Sequence, residues 1–152
     1  MEPHPHVLLE DVFTPAQLLM VKEELGIMEQ HTLTGEHTGT AYRDGEMLKT
    51  NRAVWIPNHW DSAIRSSLME NLRSDSFYDQ IPCEWWKTCW KRMGEYVVLL
   101  SQYQEGAYYK HHFDTTHFTV LTWLHEEPKP FTGGDFLFTD YGMNLGCKNN
   151  TG

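Results

Sequence analysis

Residues 103–114 read YQEGAYYKHHFD, and both the fold and the chemistry of this chain turn on that stretch. It follows a strand-like run from Tyr96 to Tyr103, turns at Glu105-Gly106, and continues as a second β-like run from Tyr108 to Asp114. Side chains at i and i+2 of a strand share a face. His112 and Asp114 are therefore expected to bring an imidazole and a carboxylate to one point. Two ligands of a 2-His-1-carboxylate facial triad have this form, which suits Fe(II) with coordination positions left open.

Working outward, two further β-like runs follow, His117 to Leu124 and Asp135 to Thr139, separated by EEPKP at 126–130 and TGG at 132–134. Upstream the pattern is helical. Thr14 as N-cap and Pro15 at the first helical position open a helix whose Leu18, Val21, Leu25 and Met28 keep one face. Gly26 near its end is a site for fraying. Val7 to Leu9 reads as an edge strand, and Arg52 to Ile56 as a strand that stops at Pro57. A second helix is expected after a cap near Asp61, with Ile64, Leu68 and Leu72 aligned. A third runs from Pro82 to about Met93 with Trp86, Trp90 and Met93 aligned. His31 to Gly45 is polar and glycine-rich and reads as a loop, a lid on composition alone. Helices first and strands afterwards predict an α+β fold. One domain, 1–152, is expected, with 1–93 as a mostly helical support and 94–152 as the β core.

Composition narrows the function. The chain has 152 residues, 40% hydrophobic and 22% charged, which is enough to bury a core. Its 21 acids outnumber 12 bases for a net charge of −9, which argues against nucleic acid and anionic membrane as partners. Aromatic residues reach 13%, six of them Trp, favouring a β-rich fold or an aromatic-lined pocket. Cys83, Cys89 and Cys147 are an odd number without metal-ligand spacing, so free thiols in a reducing cytoplasm are expected. The opening MEPHPHVLLEDVF lacks the basic start and long apolar run of a signal peptide.

An H-x-D pair alone is a weak signal: this composition gives roughly 0.5 by chance. His59-Trp60-Asp61 is a second instance, but Asp61 there is better read as a helix cap. His125-Glu126-Glu127 runs into a proline-rich turn. The bland alternative for His112 and Asp114 is a surface pair on a β-hairpin. His111 and His117 have the opposite strand parity and are taken as non-ligands.

The wider spacing Tyr103, Gly106, Tyr109, His112, Asp114 gives Y-x2-G-x2-Y-x2-H-x-D. It resembles the opening of the double-stranded β-helix in prolyl-4-hydroxylase-like 2-oxoglutarate/Fe(II) dioxygenases. HFTVLTWLHE from 117 to 126 is similar to that family's next core strand, GGDFLF from 133 to 138 to its G-G-x-hydrophobic-x-F strand, and VLLEDVFTPAQLLMVKEEL to its N-terminal strand and helix. The resemblance implies that 94–152 forms the first half of a jelly-roll, cupin-like β-helix. It implies Fe(II) on His112 and Asp114, and 2-oxoglutarate as co-substrate near Tyr103, Leu121 and Phe136. Trp123 stands where the family often has tyrosine, in contact with co-substrate or substrate. Gly106 and the Gly133-Gly134 pair would shape the backbone around the site. The activity implied is hydroxylation of a peptide or protein by molecular oxygen, coupled to decarboxylation of 2-oxoglutarate, with ascorbate as an accessory reductant.

The sequence also departs from that family. No histidine follows His125, and after Phe138 the only basic residue is Lys148, so neither a third ligand nor an Arg for the distal carboxylate is at hand. The expectation is an incomplete reading frame, with an open sheet edge through which copies could pair. Two other readings stay open. One is a binding or structural module that keeps the scaffold without catalysis. The other is a cupin-type oxygenase, which would show more histidines close together on adjacent strands.

Overall fold

In the computed structural model, residues 6–38 and 42–152 are described. The fold is mixed helix and antiparallel sheet. The chain groups into two compact units. One comprises residues 15–67 and 93–113, the other the residues up to 14 with 68–92 and 114–152.

The first unit opens with helix α1, Pro15–Glu29. Pro15 suits its first position because that N–H has no helical partner in any case. The expected stripe is the inner one: Val21 and Met28 are buried, and Leu18 and Leu25 half-buried. The helix continues past Gly26 to Glu29, where Thr32 closes it by donating from Oγ1 to the Glu29 carbonyl at 2.8 Å. Arg52 reaches back to the same Thr32, donating to its hydroxyl and carbonyl oxygens. Arg52 opens strand β4, Arg52–Ile56, the middle of a three-stranded antiparallel sheet with β1, Leu33–Thr34, and β5, Val98–Gln102. The β4–β5 register sets Ala53 opposite Ser101 and Ile56 opposite Val98, with Ala53 and Ile56 buried.

Part of the segment expected to be a loop is a hairpin. Strands β2, Tyr42–Arg43, and β3, Glu46–Met47, pair antiparallel around Asp44-Gly45. Both turn residues have positive φ, 52° and 80°, as a two-residue hairpin turn of this hand requires. Residues 39–41 of the expected loop lie outside the described residues.

Helix α2, Ala63–Leu72, begins later than Asp61. Ser62 does the capping: its Oγ accepts from Arg65 N at 3.2 Å. The buried Arg65 turns its Nη1 toward the carbonyls of Pro57, Asn58 and Trp60 at 2.6–3.1 Å, and its Nη2 donates to the Tyr96 hydroxyl at 3.2 Å. Arg65→Met keeps the stem but strips these carbonyls of their donor. It should cost about 1–3 kcal/mol, because the carbonyls are part-buried and a buried polar group left bare costs about that much. A urea denaturation midpoint unchanged by this substitution would contradict the role.

α2 runs on into the second unit, where two helices follow: α3, Asp75–Gln80, capped by the Ser74 hydroxyl, and α4, Glu84–Arg92. The Trp90 indole donates to the Leu72 carbonyl at 3.1 Å and packs against Phe77 and Phe118. Val12, Phe13, Leu72 and Ile81 are buried in this unit. Strand β6, Phe136–Phe138, pairs with β7, Met143–Gly146, across a 3-10 turn. Residues 150–152 carry backbone hydrogen bonds on both sides, to Leu9 and Val12 on one and to Trp123 on the other.

The β-like runs Tyr108–Asp114 and His117–Leu124 are not strands. Each pairs at a single residue, Tyr109 with Lys49 and Trp123 with Thr151, and residues 111–114 lie outside any strand. Alternating side chains favour a strand only where a neighbouring ladder takes up the backbone groups. Strand parity therefore does not set the directions of His112 and Asp114.

Candidate functional site

His112 belongs to the unit that includes residues 93–113, and Asp114 to the other. His112 follows the segment 108–110, which is held antiparallel to 48–50 by Thr50 N to the Tyr108 carbonyl, 3.1 Å, and Lys110 N to the Leu48 carbonyl, 2.7 Å. The Lys110 ammonium adds an ion pair to Glu46 at 2.9 Å. On this support the His112 ring lies flat against Tyr109, centroids 3.7 Å apart at 11°. Its Nδ1 is 2.8 Å from the Lys110 carbonyl oxygen. A carbonyl can only accept, so Nδ1 carries a proton in this contact. Metal-ligating histidines are held in the same way, the second nitrogen donating to a carbonyl.

Asp114 is exposed, and its Oδ2 accepts from the Thr119 hydroxyl at 2.6 Å. Thr119 in turn is 2.8 Å from the Thr116 hydroxyl. Among the described residues, no three His, Cys, Asp or Glu side chains are grouped so as to hold a metal ion. His112 and Asp114 offer an imidazole nitrogen and a carboxylate, each with a hydrogen-bond partner of its own.

Comparison with protein-family models, with curated proteins and with solved structures gives no match to this chain. The site therefore rests on its own residues.

Tyr103 stands one residue beyond β5, in the unit of His112, with 47% of its surface exposed. Burial first, and the charge of Tyr109 second, push the phenol from 10.0 up to about 12. The phenol therefore stays a donor at any physiological pH. Since its folded value lies above the unfolded one, its contribution to stability is complete below pH 10 and is lost as the pH rises from there to about 12. Ultraviolet titration should show one tyrosinate forming near pH 12 that Tyr103→Phe removes; a titration unaltered by that substitution would contradict the enclosure.

In the other unit Trp123 and Phe136 meet edge to face, centroids 6.1 Å apart, and Phe136 continues into Phe138 at 5.4 Å. Leu121 is exposed at the side chain, and its carbonyl lies 2.8 Å from where a Cβ on Gly152 would stand. Two of the residues expected around a co-substrate thus touch, and Leu121 is a near neighbour along the chain. His59 sits in the Pro57–Trp60 turn. The His125 ring is largely enclosed, its Nδ1 on the Glu126 carbonyl and its plane perpendicular to Phe131, centroids 5.4 Å apart. Of the groups that steady the pair, Tyr109 stands in the motif without an assigned role, while the Lys110 carbonyl and Thr119 are absent from the sequence expectation.

Proposed function

We propose that this chain carries the core of a prolyl-4-hydroxylase-like 2-oxoglutarate/Fe(II) dioxygenase acting on a peptide or protein, on a jelly-roll β-helix. One observation supports the reading above the others. Both members of the H-x-D pair have a second partner of the kind that orients a ligand, His112 through Nδ1 and Asp114 through Oδ2. His112 Nε2 and the Asp114 carboxylate would hold Fe(II), which supplies the oxidising chemistry when bound with 2-oxoglutarate and molecular oxygen. Tyr103, protonated up to about pH 12, would donate a hydrogen bond to a co-substrate carboxylate and hold it in register, a bond worth about 1.5–3 kcal/mol. Trp123, Phe136 and Leu121 would supply apolar walls that keep water from the reacting carbon.

The test is Fe(II)-dependent conversion of 2-oxoglutarate to succinate by the protein at its full natural length, with proline-containing peptides as acceptors. Succinate that rises with Fe(II) and disappears with a chelator is the expected result. Metal binding without any succinate would favour a module that keeps the scaffold and does no chemistry.

A further inference from the structure

The three-stranded sheet ends on β5, which pairs with β4 on one side only. Along its other side, among the described residues, the main-chain groups of 97–103 make no hydrogen bond. Such a row of unpaired N–H and C=O groups is a template for a further strand. Proteins ordinarily blunt it with charge, proline, a bulge or brevity. The other strand edges here are blunted in these ways. β1 is two residues long, the β2–β3 hairpin carries Arg43, Asp44 and Glu46, and the β6–β7 register is irregular between Phe136 and Leu137. β5 has none of these devices. Residues 96–103 read YVVLLSQY, without a charge, a proline or a glycine, and the β4–β5 register is unbroken from Arg52↔Gln102 to Ile56↔Val98. The side chains at its two ends are open as well, Val97 66% and Tyr103 47% exposed. We infer that β5 is a self-association edge, on which a second copy of this chain lays its own β5 antiparallel about a two-fold axis at Leu100.

Charge and register select that occupant, independently of the metal-site reading. With a net charge of −9, copies repel one another and can meet closely only where acids are absent. The stretch 96–103 is such a place. A basic peptide would find no carboxylate on this edge, and an acidic one would meet the field of the whole chain. The strand's own sequence fits. With Leu100 on the axis, Val97 stands directly opposite Tyr103 of the second copy. A β-branched and an aromatic residue so placed form a favourable cross-strand pair, and the two-fold makes it twice. Moving the axis to Leu99 sets Tyr103 against Glu95, and moving it to Ser101 sets Val97 against Glu105. Either shift replaces the apolar pair with a carboxylate. Only the Leu100 axis keeps both acids beyond the paired stretch.

Sedimentation equilibrium of the 152-residue chain should show a reversible monomer–dimer equilibrium. Hydrogen exchange at the amides of 97–103 should slow as concentration rises, while that of 33–34 stays constant. Val97→Lys puts a charge on the edge and removes both pairs with Tyr103, so it should weaken dimerisation about tenfold. Leu33→Lys, at the opposite edge of the sheet and 51% exposed, should leave it unchanged. Monomers at every concentration with fast exchange at 97–103 would overturn the inference. Monomers with slow exchange there would also overturn it, assigning the edge to another segment of the same protein. Species growing beyond the dimer would do the same, because a two-fold pair closes. So would a dimer that Val97→Lys leaves intact, or one that Leu33→Lys weakens equally. Exchange in the unsubstituted chain reads the edge directly, so a variant that fails to fold leaves the test intact.

Discussion

Asp114→Ala and His112→Ala are each expected to abolish Fe(II)-dependent 2-oxoglutarate turnover in the natural full-length protein. The loss should exceed the roughly 100-fold upper range seen for groups that only support a ligand, because each removes a donor atom itself. A facial triad places its ligands on one side of the metal and keeps the other side open. With one ligand gone, neither the grip nor the geometry of the open positions survives. Neither substitution should unfold the protein, since Asp114 is exposed and His112 half-buried. His59→Ala and His117→Ala should leave turnover intact. His59 sits in the turn before α2, and His117 is an exposed loop residue. Full succinate formation by the Asp114→Ala protein would remove the facial-triad reading and the dioxygenase assignment with it.

What the sequence made legible follows from how local each signal is. Pro15 and the Leu18–Met28 stripe placed α1, and the alternation ending at Pro57 placed β4, because both signals act within a few residues. The hairpin at Asp44-Gly45 was equally local. Its glycine-rich, polar flanks give it no apolar alternation, so composition alone reads it as a loop. The runs 108–114 and 117–124 fail for a different reason. Their composition suits strands, yet backbone pairing reaches them at one residue each, and the availability of a neighbouring ladder is a tertiary fact.

The site divides along the same line. The motif names His112 and Asp114, and their i, i+2 spacing would converge them only through strand parity. In the structure a stacked tyrosine, a backbone carbonyl and a threonine hydroxyl do the orienting. The first two come from residues within three positions of His112, so the information was nearby, but it depended on a backbone conformation that alternation does not encode. Asp61 illustrates the converse: its neighbour Ser62 took the cap, one residue from where charge and sequence pointed.

Asn150→Ala should be the most destabilising single change in the unit that carries Asp114. Asn150 is buried, and its side-chain amide closes on one residue from both sides: Oδ1 accepts from Phe13 N and Nδ2 donates to the Phe13 carbonyl, each at 2.8 Å. Its backbone spans the same structure, with N donating to the Trp123 carbonyl at 2.8 Å and O accepting from Val12 N at 3.0 Å. Its φ of 58° lies in the left-handed region, where asparagine is among the few residues at ease. Alanine leaves two buried backbone groups of Phe13 without partners and adds strain at φ 58°, for a cost of about 4 kcal/mol in all. That is a large part of the roughly 5–15 kcal/mol that stabilises a domain. Asn150→Gly removes the strain but not the orphaned groups, so it should be less harmful than alanine by about 1 kcal/mol. Urea denaturation of the three proteins separates the two effects. Equal midpoints for Ala and Gly would mean the backbone conformation carries no strain, and a wild-type midpoint for Ala would mean the clamp on Phe13 carries no weight. Because Trp123 pairs with Thr151 and meets Phe136 edge to face, loosening this clamp should also quench or shift Trp123 fluorescence before global unfolding. A structural residue far along the chain from the H-x-D motif would then govern the apolar wall proposed for the co-substrate.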